Sequence, residues 1–102
     1  MLCLAIRHGV TVDVDGSSIT AVLHPFQESA VVFTANGRRL ESVPLALDES
    51  IEFAGGTVKF YKILRRDSAR VPVLAFEHPK HIPIARSDAT VKTPRLQTAT
   101  AQ

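Results

Sequence analysis

Apolar and polar residues alternate with a period of two along most of this chain, and Val, Ile and Thr are frequent in the alternating stretches. This period places successive side chains on opposite faces of a β-strand. Apolar residues do not recur at the spacing of an amphipathic helix. The pattern therefore predicts an all-β protein with strands near residues 2–7, 10–14, 18–24, 30–35, 40–46, 50–53, 57–64, 71–77 and 81–85.

Short turn signals separate the predicted strands. Gly16 and Gly55 each follow a strand and supply the backbone freedom that a tight turn needs. Asn36 and Gly37 form a dipeptide typical of a two-residue hairpin. Residues 65–70 are polar and charged, so we predict a turn there as well.

Two eight-residue stretches share a similar pattern of residue types, at residues 42–49 (SVPLALDE) and 81–88 (HIPIARSD), 39 positions apart. When the chain is aligned with itself at this 39-residue shift, Gly16 aligns with Gly55, and six aligned positions are identical. Chance resemblance between strands is the alternative to a duplication. A duplication predicts two β units, residues 1–47 and 48–88, each too small to cover its own apolar face. Together they would form one antiparallel domain over residues 1–88, a sandwich or barrel-like pseudo-dimer.

The last residues, 89–102, differ in composition from the rest of the chain. Thr, Ala and Gln dominate there, and Pro94 opposes a regular element. Such a segment cannot bury enough apolar surface by itself to offset its ordering entropy. We predict an extended arm that becomes ordered against a neighbouring subunit, the alternative being a frayed tail. The candidate partner-binding residues of the arm are Val91, Pro94, Arg95 and Leu96.

Composition and charge narrow the classes of function. The net charge of +2 permits a polyanionic partner without requiring one. Cys3 lies in an apolar run, which predicts a buried thiol. Residues 78–81 (HPKH) lack the ligand spacing of a metal site, and no glycine-rich loop opens a helix. The arginine pairs at 38–39 and 65–66 fall at turn tips, where they serve solubility or a partner. We therefore expect no enzyme activity, no cofactor and no metal.

Both ends of the predicted domain resemble the carbon storage regulator (Csr/Rsm) family. The family begins with Met-Leu-x-Leu, basic residues and Gly, and it closes with a strand in which Pro, Lys and alternating aliphatic residues precede Arg and an acid. The matching residues are Met1, Leu2, Leu4, Arg7 and Gly9 at the start, and Pro79, Lys80, Ile82, Ile84 and Arg86 at the end.

The resemblance implies an intertwined dimer of five-stranded units that binds a GGA-containing RNA hairpin. In that family the RNA site lies where the first strand of one protomer runs beside the last strand of the other. In this chain the corresponding RNA-binding candidates are Leu4, Arg7, Ile84 and Arg86. A second such site lacks its arginine, because Leu47 stands at the position equivalent to Arg86.

Two functions follow as hypotheses. The first is a phage capsid decoration (cement) protein, whose β domain and arm bridge neighbouring capsid subunits in the virion. The alternative is a Csr-like, RNA-binding translational regulator in the bacterial cytoplasm. No apolar run has the length of a membrane span, and the chain start lacks the long apolar stretch of a signal peptide. We therefore expect protein subunits as partners, with RNA possible and no membrane.

Overall fold

The computed structural model describes residues 1–67 and 69–88. This part of the chain forms two antiparallel sheets, and it contains no helix that is long and apolar enough to cross a membrane. The all-β prediction is therefore confirmed. The strands are β1 (Leu2–Ala5), β2 (Val10–Val14), β3 (Ser17–Leu23), β4 (Ser29–Asn36), β5 (Arg39–Ala46), β6 (Ser50–Phe53), β7 (Gly56–Arg66), β8 (Ala69–Glu77) and β9 (Ile84–Asp88).

The two sheets divide the strands in an order that does not follow the chain. The four-stranded sheet has the order β1-β8-β7-β6, and the five-stranded sheet has the order β5-β4-β3-β2-β9. The first strand therefore lies in the sheet of the second half, with Leu4 opposite Leu74. The last strand lies in the sheet of the first half, with Arg86 opposite Val12. The two halves are intertwined through their terminal strands.

Two hairpins occupy equivalent places in the two halves. The β2–β3 turn consists of Asp15 and Gly16, with φ of 51° and 89°. The β6–β7 turn consists of Ala54 and Gly55, with φ of 51° and 85°. Two positive φ values define the hairpin turn whose twist matches the flanking strands. The 39-residue shift superimposes these pairs, so the aligned positions have the same backbone conformation.

The strands agree with the predicted ones to within about two residues except at the end of the domain, although the turn predicted over 65–70 is shorter because β7 continues to Arg66 and β8 begins at Ala69. The last strand was expected at 81–85 but runs over Ile84–Asp88. Pro83 cannot donate to a sheet. Its carbonyl instead accepts from the Asp15 amide at 3.0 Å, and the Ile82 amide closes a turn on Pro79 O at 3.0 Å. The sheet pairing therefore begins only after the proline.

One apolar core lies between the sheets. β2 buries alternate residues, as one-sided burial requires. Phe60 and Phe76 of the four-stranded sheet are fully buried against the side chains of the other sheet, and no aromatic residue of the five-stranded sheet is buried. The largest fully buried side chains are Phe60, Phe76, Ile6, Ile19, Leu74, Val12, Val14, Val32 and Val58.

Cys3 does not join this core, so the predicted burial of its thiol is wrong. Cys3 pairs with Ala75 in the outermost pair of strands of its sheet and is exposed. The neighbouring Leu4 packs against the core instead. Alternation along β1 thus turns the cysteine away from the interior, even though the local sequence is apolar throughout.

Candidate functional site

The outer face of the five-stranded sheet carries uncharged side chains over three adjacent strands. The register aligns Val22, Val31 and Pro44 in one row across β3, β4 and β5. Directly opposed residues share a face of a sheet, so the alternate positions define one surface. We call this surface the docking face; its residues are Ser18, Thr20, Val22, Val31, Phe33, Ala35, Leu40, Ser42 and Pro44.

Large apolar groups of the docking face are open to solvent. Leu40 is 78% exposed, Val22 56% and Phe33 43%. Phe33 and Leu40 line a shallow depression of about 420 Å³ together with Ser and Thr side chains and Glu41. Contiguous exposed apolar residues of this kind mark surfaces that bind other molecules.

A second feature is the seam, which we define as the two edge strands β1 and β9. Met1, Leu2 and Ile84 line one cleft of about 480 Å³, so the two strands begin near each other. At the other end, the Val10 amide donates to Arg7 O at 3.0 Å, and Val10 pairs with Asp88. The two strands therefore run in the same direction along the boundary between the sheets.

The four RNA-binding candidates lie along the seam or just beyond it. Leu4 and Ile84 are half-buried and pack against the core. Arg7 and Arg86 are exposed. Arg86 is the central residue of β9 and pairs with Val12, whereas Arg7 lies just beyond the end of β1.

A third feature is the basic cleft, a cavity of about 520 Å³ at the end of β1, where Arg7, Arg66 and Arg70 meet. Asp67 is the single acidic residue of its lining, and His8 also borders it. Among the described residues, none of the three arginines forms an ion pair. The cleft therefore carries an excess of positive charge that no ion pair within the described residues neutralises.

Arg70 is held in place by the backbone of the β3–β4 loop. Its Nη1 donates to His24 O at 3.4 Å and Pro25 O at 3.2 Å, and its Nη2 donates to Gln27 O at 3.4 Å. Its Nε is buried and has no partner among the residues described. The guanidinium is thus fixed while one of its N–H groups remains unsatisfied.

The two histidines of residues 78–81 do not form a site. His78 Nε2 lies 2.7 Å from Phe53 O, which ties the end of β8 to the β6–β7 hairpin. His81 is exposed in the following turn. No group of three or more His, Cys, Asp or Glu side chains within residues 1–67 and 69–88 is arranged to hold a metal ion.

The sequence prediction missed the docking face and the basic cleft, and it addressed residues that the structure does not describe. The docking face had a readable signal, because every second residue from 18 to 22 and from 31 to 35 is uncharged. No sequence signal identified Arg70 as a site residue, because the backbone carbonyls that it binds lie more than 40 positions away in the sequence. The arm candidates Val91, Pro94, Arg95 and Leu96 lie outside the described residues.

Comparison with known proteins finds no family model, no curated protein and no solved structure that matches this chain. The relation to carbon storage regulators therefore stays a prediction.

Proposed function

We propose that this protein is a non-enzymatic assembly protein that binds another protein through the docking face, and that it serves as a decoration (cement) protein on a phage capsid shell. The single observation that carries the proposal is the absence of charge from nine contiguous outward positions that include exposed Phe33 and Leu40. Depletion of charge distinguishes the centre of a protein interface from ordinary surface.

The dimensions of the sheet suit a modest interface. The docking face covers three strands at about 4.8 Å spacing, each seven or eight residues long, which gives an area on the order of 350 Å². A standard interface buries about 800 Å² per partner. A charged surface placed here would lose hydration without gaining an ion pair, so the partner surface is apolar or hydroxyl-bearing.

The arm supplies the remaining contact in this proposal. The 14 residues from 89 to 102 follow Asp88, at the end of an edge strand of the same sheet. Fully extended, they span about 46 Å, enough to pass beyond the docking face to a second capsid subunit. The docking face and the arm together would bridge two neighbours.

The test is co-sedimentation with empty shells of the capsid protein encoded in the same genome. Phe33→Lys places a charge at the centre of the docking face, and we expect it to abolish co-sedimentation. Tyr61→Lys is the matched control, because Tyr61 is 39% exposed on the other sheet. Deletion of residues 89–102 should weaken binding without unfolding the domain. Wild-type behaviour of Phe33→Lys, or loss caused by Tyr61→Lys alone, contradicts the proposal.

A second candidate function, RNA binding at the seam, is favoured by the exchange of terminal strands between the two sheets. The resemblance to carbon storage regulators implies such an exchange and a site between the first and last strands. Here Arg7 and Arg86 would contact the RNA, while Leu4 and Ile84 would shape the site.

This candidate is tested by titration of a GGA-loop RNA hairpin at physiological salt. Arg86→Ala should cost about 1–3 kcal/mol of binding free energy. Arg38→Ala removes the same charge from a distant turn and should have little effect. Absence of binding by the wild-type protein eliminates this function.

A further inference from the structure

We propose that the basic cleft is a binding site for a phosphate group. This inference goes beyond both proposed functions, because Arg66 and Arg70 belong to neither the docking face nor the seam. It rests on three arginines, one of which is fixed by backbone carbonyls, and on a cavity that also has apolar lining.

Arg70 places a fixed positive charge at the wall of the cleft. Three backbone carbonyls hold Nη1 and Nη2, so the side chain is fixed before any ligand arrives. Its Nε–H is buried and closed to solvent, so it is not a contact for a ligand in the cleft. A guanidinium that is already ordered attracts a phosphate without a further loss of side-chain entropy.

The charge around the cleft favours a multivalent anion over a single carboxylate. Arg66 and Arg70 flank the β7–β8 turn, Arg7 follows β1, and only Asp67 opposes them in the lining. None of the three is neutralised by an ion pair within the described part of the chain. A phosphate offers up to two charges and several acceptor oxygens, which suits several donors converging from different sides.

The cavity has room for more than the anion. Its volume of about 520 Å³ lies within the range of small-molecule sites. Ile6, Leu23, Val71 and Pro72 contribute apolar lining beside the arginines. The ligand class is therefore a phosphate group, carried either by a small phosphorylated molecule or by the backbone of a single-stranded nucleic acid.

The test is isothermal titration calorimetry of the full chain at physiological salt with three ligands: inorganic pyrophosphate, ATP and a 12-nucleotide single-stranded RNA without GGA. Binding of pyrophosphate or ATP identifies a small-molecule source. Binding of the RNA alone identifies a nucleic-acid backbone. Either result supports the site if Arg66→Gln and Arg7→Gln each weaken binding about ten-fold or more.

The controls separate this cleft from general electrostatics and from the seam. Arg38→Gln removes the same charge at the β4–β5 turn, which lies at the opposite end of β3 from the cleft residue Leu23. It should leave binding unchanged. Arg70→Lys keeps the charge but loses hydrogen bonds to the carbonyls that fix the guanidinium, and it should also weaken binding.

Circular dichroism establishes that each variant is folded, and Arg66→Gln keeps the test decisive even if Arg70→Lys is unstable. The proposal is overturned if the wild-type protein binds none of the three ligands. Equal weakening by Arg38→Gln and Arg66→Gln also overturns it. Loss of RNA binding in Arg86→Ala but not in Arg66→Gln assigns the RNA to the seam and excludes the cleft.

Discussion

The two sheets pack their inner faces into one core, but they present different outer faces to solvent. The docking face of the five-stranded sheet has no charge over nine positions. On the four-stranded sheet, the rows of paired residues on the outer face include the charged residues Glu52, Lys59 and Glu77. Charged side chains keep a sheet face hydrated, so their absence is what distinguishes a surface available for docking. Exposed apolar residues alone would be a weaker sign, because single ones are common on any protein.

Equivalent positions in the two halves of the chain differ in the charge and size of their outward side chains. The 39-residue shift aligns Thr20 of the docking face with Lys59, and Val22 with Tyr61. Both pairs occupy strands that follow equivalent hairpins. The aligned positions therefore differ in their side chains, and at Tyr61 the backbone differs as well, because the β7–β8 register shifts between Phe60 and Lys62 while β3 pairs regularly with β4.

The largest expected effect separates a core phenylalanine from a docking-face phenylalanine. Phe60→Ala should lower the free energy of unfolding by about 3–5 kcal/mol, because Phe60 is fully buried between the sheets. Phe33→Ala should lower it by less than about 1 kcal/mol, because that ring is already partly in water. Urea denaturation measures both. Equal losses would show that Phe33 supports the fold and is not kept for a partner.

A smaller effect compares aligned positions beside the two equivalent hairpins. A Cβ added at Gly56 would overlap the carbonyl oxygen of Glu77 and the ring of His78. Gly56→Ala should therefore cost about 1–3 kcal/mol through forced displacement. The aligned Ser17 donates to Asn36 Oδ1 at 3.2 Å, so Ser17→Ala should cost about 1 kcal/mol. Thermal unfolding ranks the two, and the reverse order would contradict the close packing around His78.

An exchange of charge between the sheets should change binding more than stability. Ser42→Lys adds a charge to the docking face, and Lys59→Ser removes one from the other sheet. Lys59 loses only an exposed ion pair with Asp48 at 3.8 Å, which contributes about 0–1 kcal/mol. We expect Ser42→Lys alone to reduce co-sedimentation with the partner shell. Equal reduction by both variants would mean that the two faces are not functionally distinct.

The last prediction is that chemical modification of Cys3 has no effect on partner binding. Cys3 is exposed on the four-stranded sheet, so a maleimide reagent should label it in the native protein. A bulky label there should leave partner binding unchanged, because the docking face belongs to the other sheet. Mass spectrometry measures the labelling, and impaired binding by the labelled protein would move the interface to the four-stranded sheet.

Local patterns were enough to predict the strands, because alternation and glycine turns act over a few residues. They were insufficient where distant segments meet. Cys3 lies in a run of apolar residues, and only the pairing of β1 with β8 reveals which of them faces outward. The position of β5 beside β4, and not beside β6, likewise depends on the whole sheet.

The candidate sites also divide into residues that the sequence identifies and residues that only long-range packing brings together. The exposed arginines Arg7 and Arg86 were identifiable from the family resemblance, and the structure places Arg86 within the seam and Arg7 just beyond the end of β1. The basic cleft was not identifiable, because Arg7 meets Arg66 and Arg70 only through long-range packing. The sequence predicts that the arginine pair at 65–66 lies at the tip of a turn. No neighbouring residue in the sequence indicates that Arg7 completes the cluster.

The exchange of terminal strands also constrains biosynthesis. Leu2–Ala5 leaves the ribosome well before Ala69–Glu77, which is its one sheet partner among the described strands. The edge beside Val10–Val14 stays open until Ile84–Asp88 has been translated. Neither half can be completed during elongation, so folding is a late event that follows synthesis of nearly the whole domain, and a truncated translation product would retain unprotected strand edges prone to aggregation.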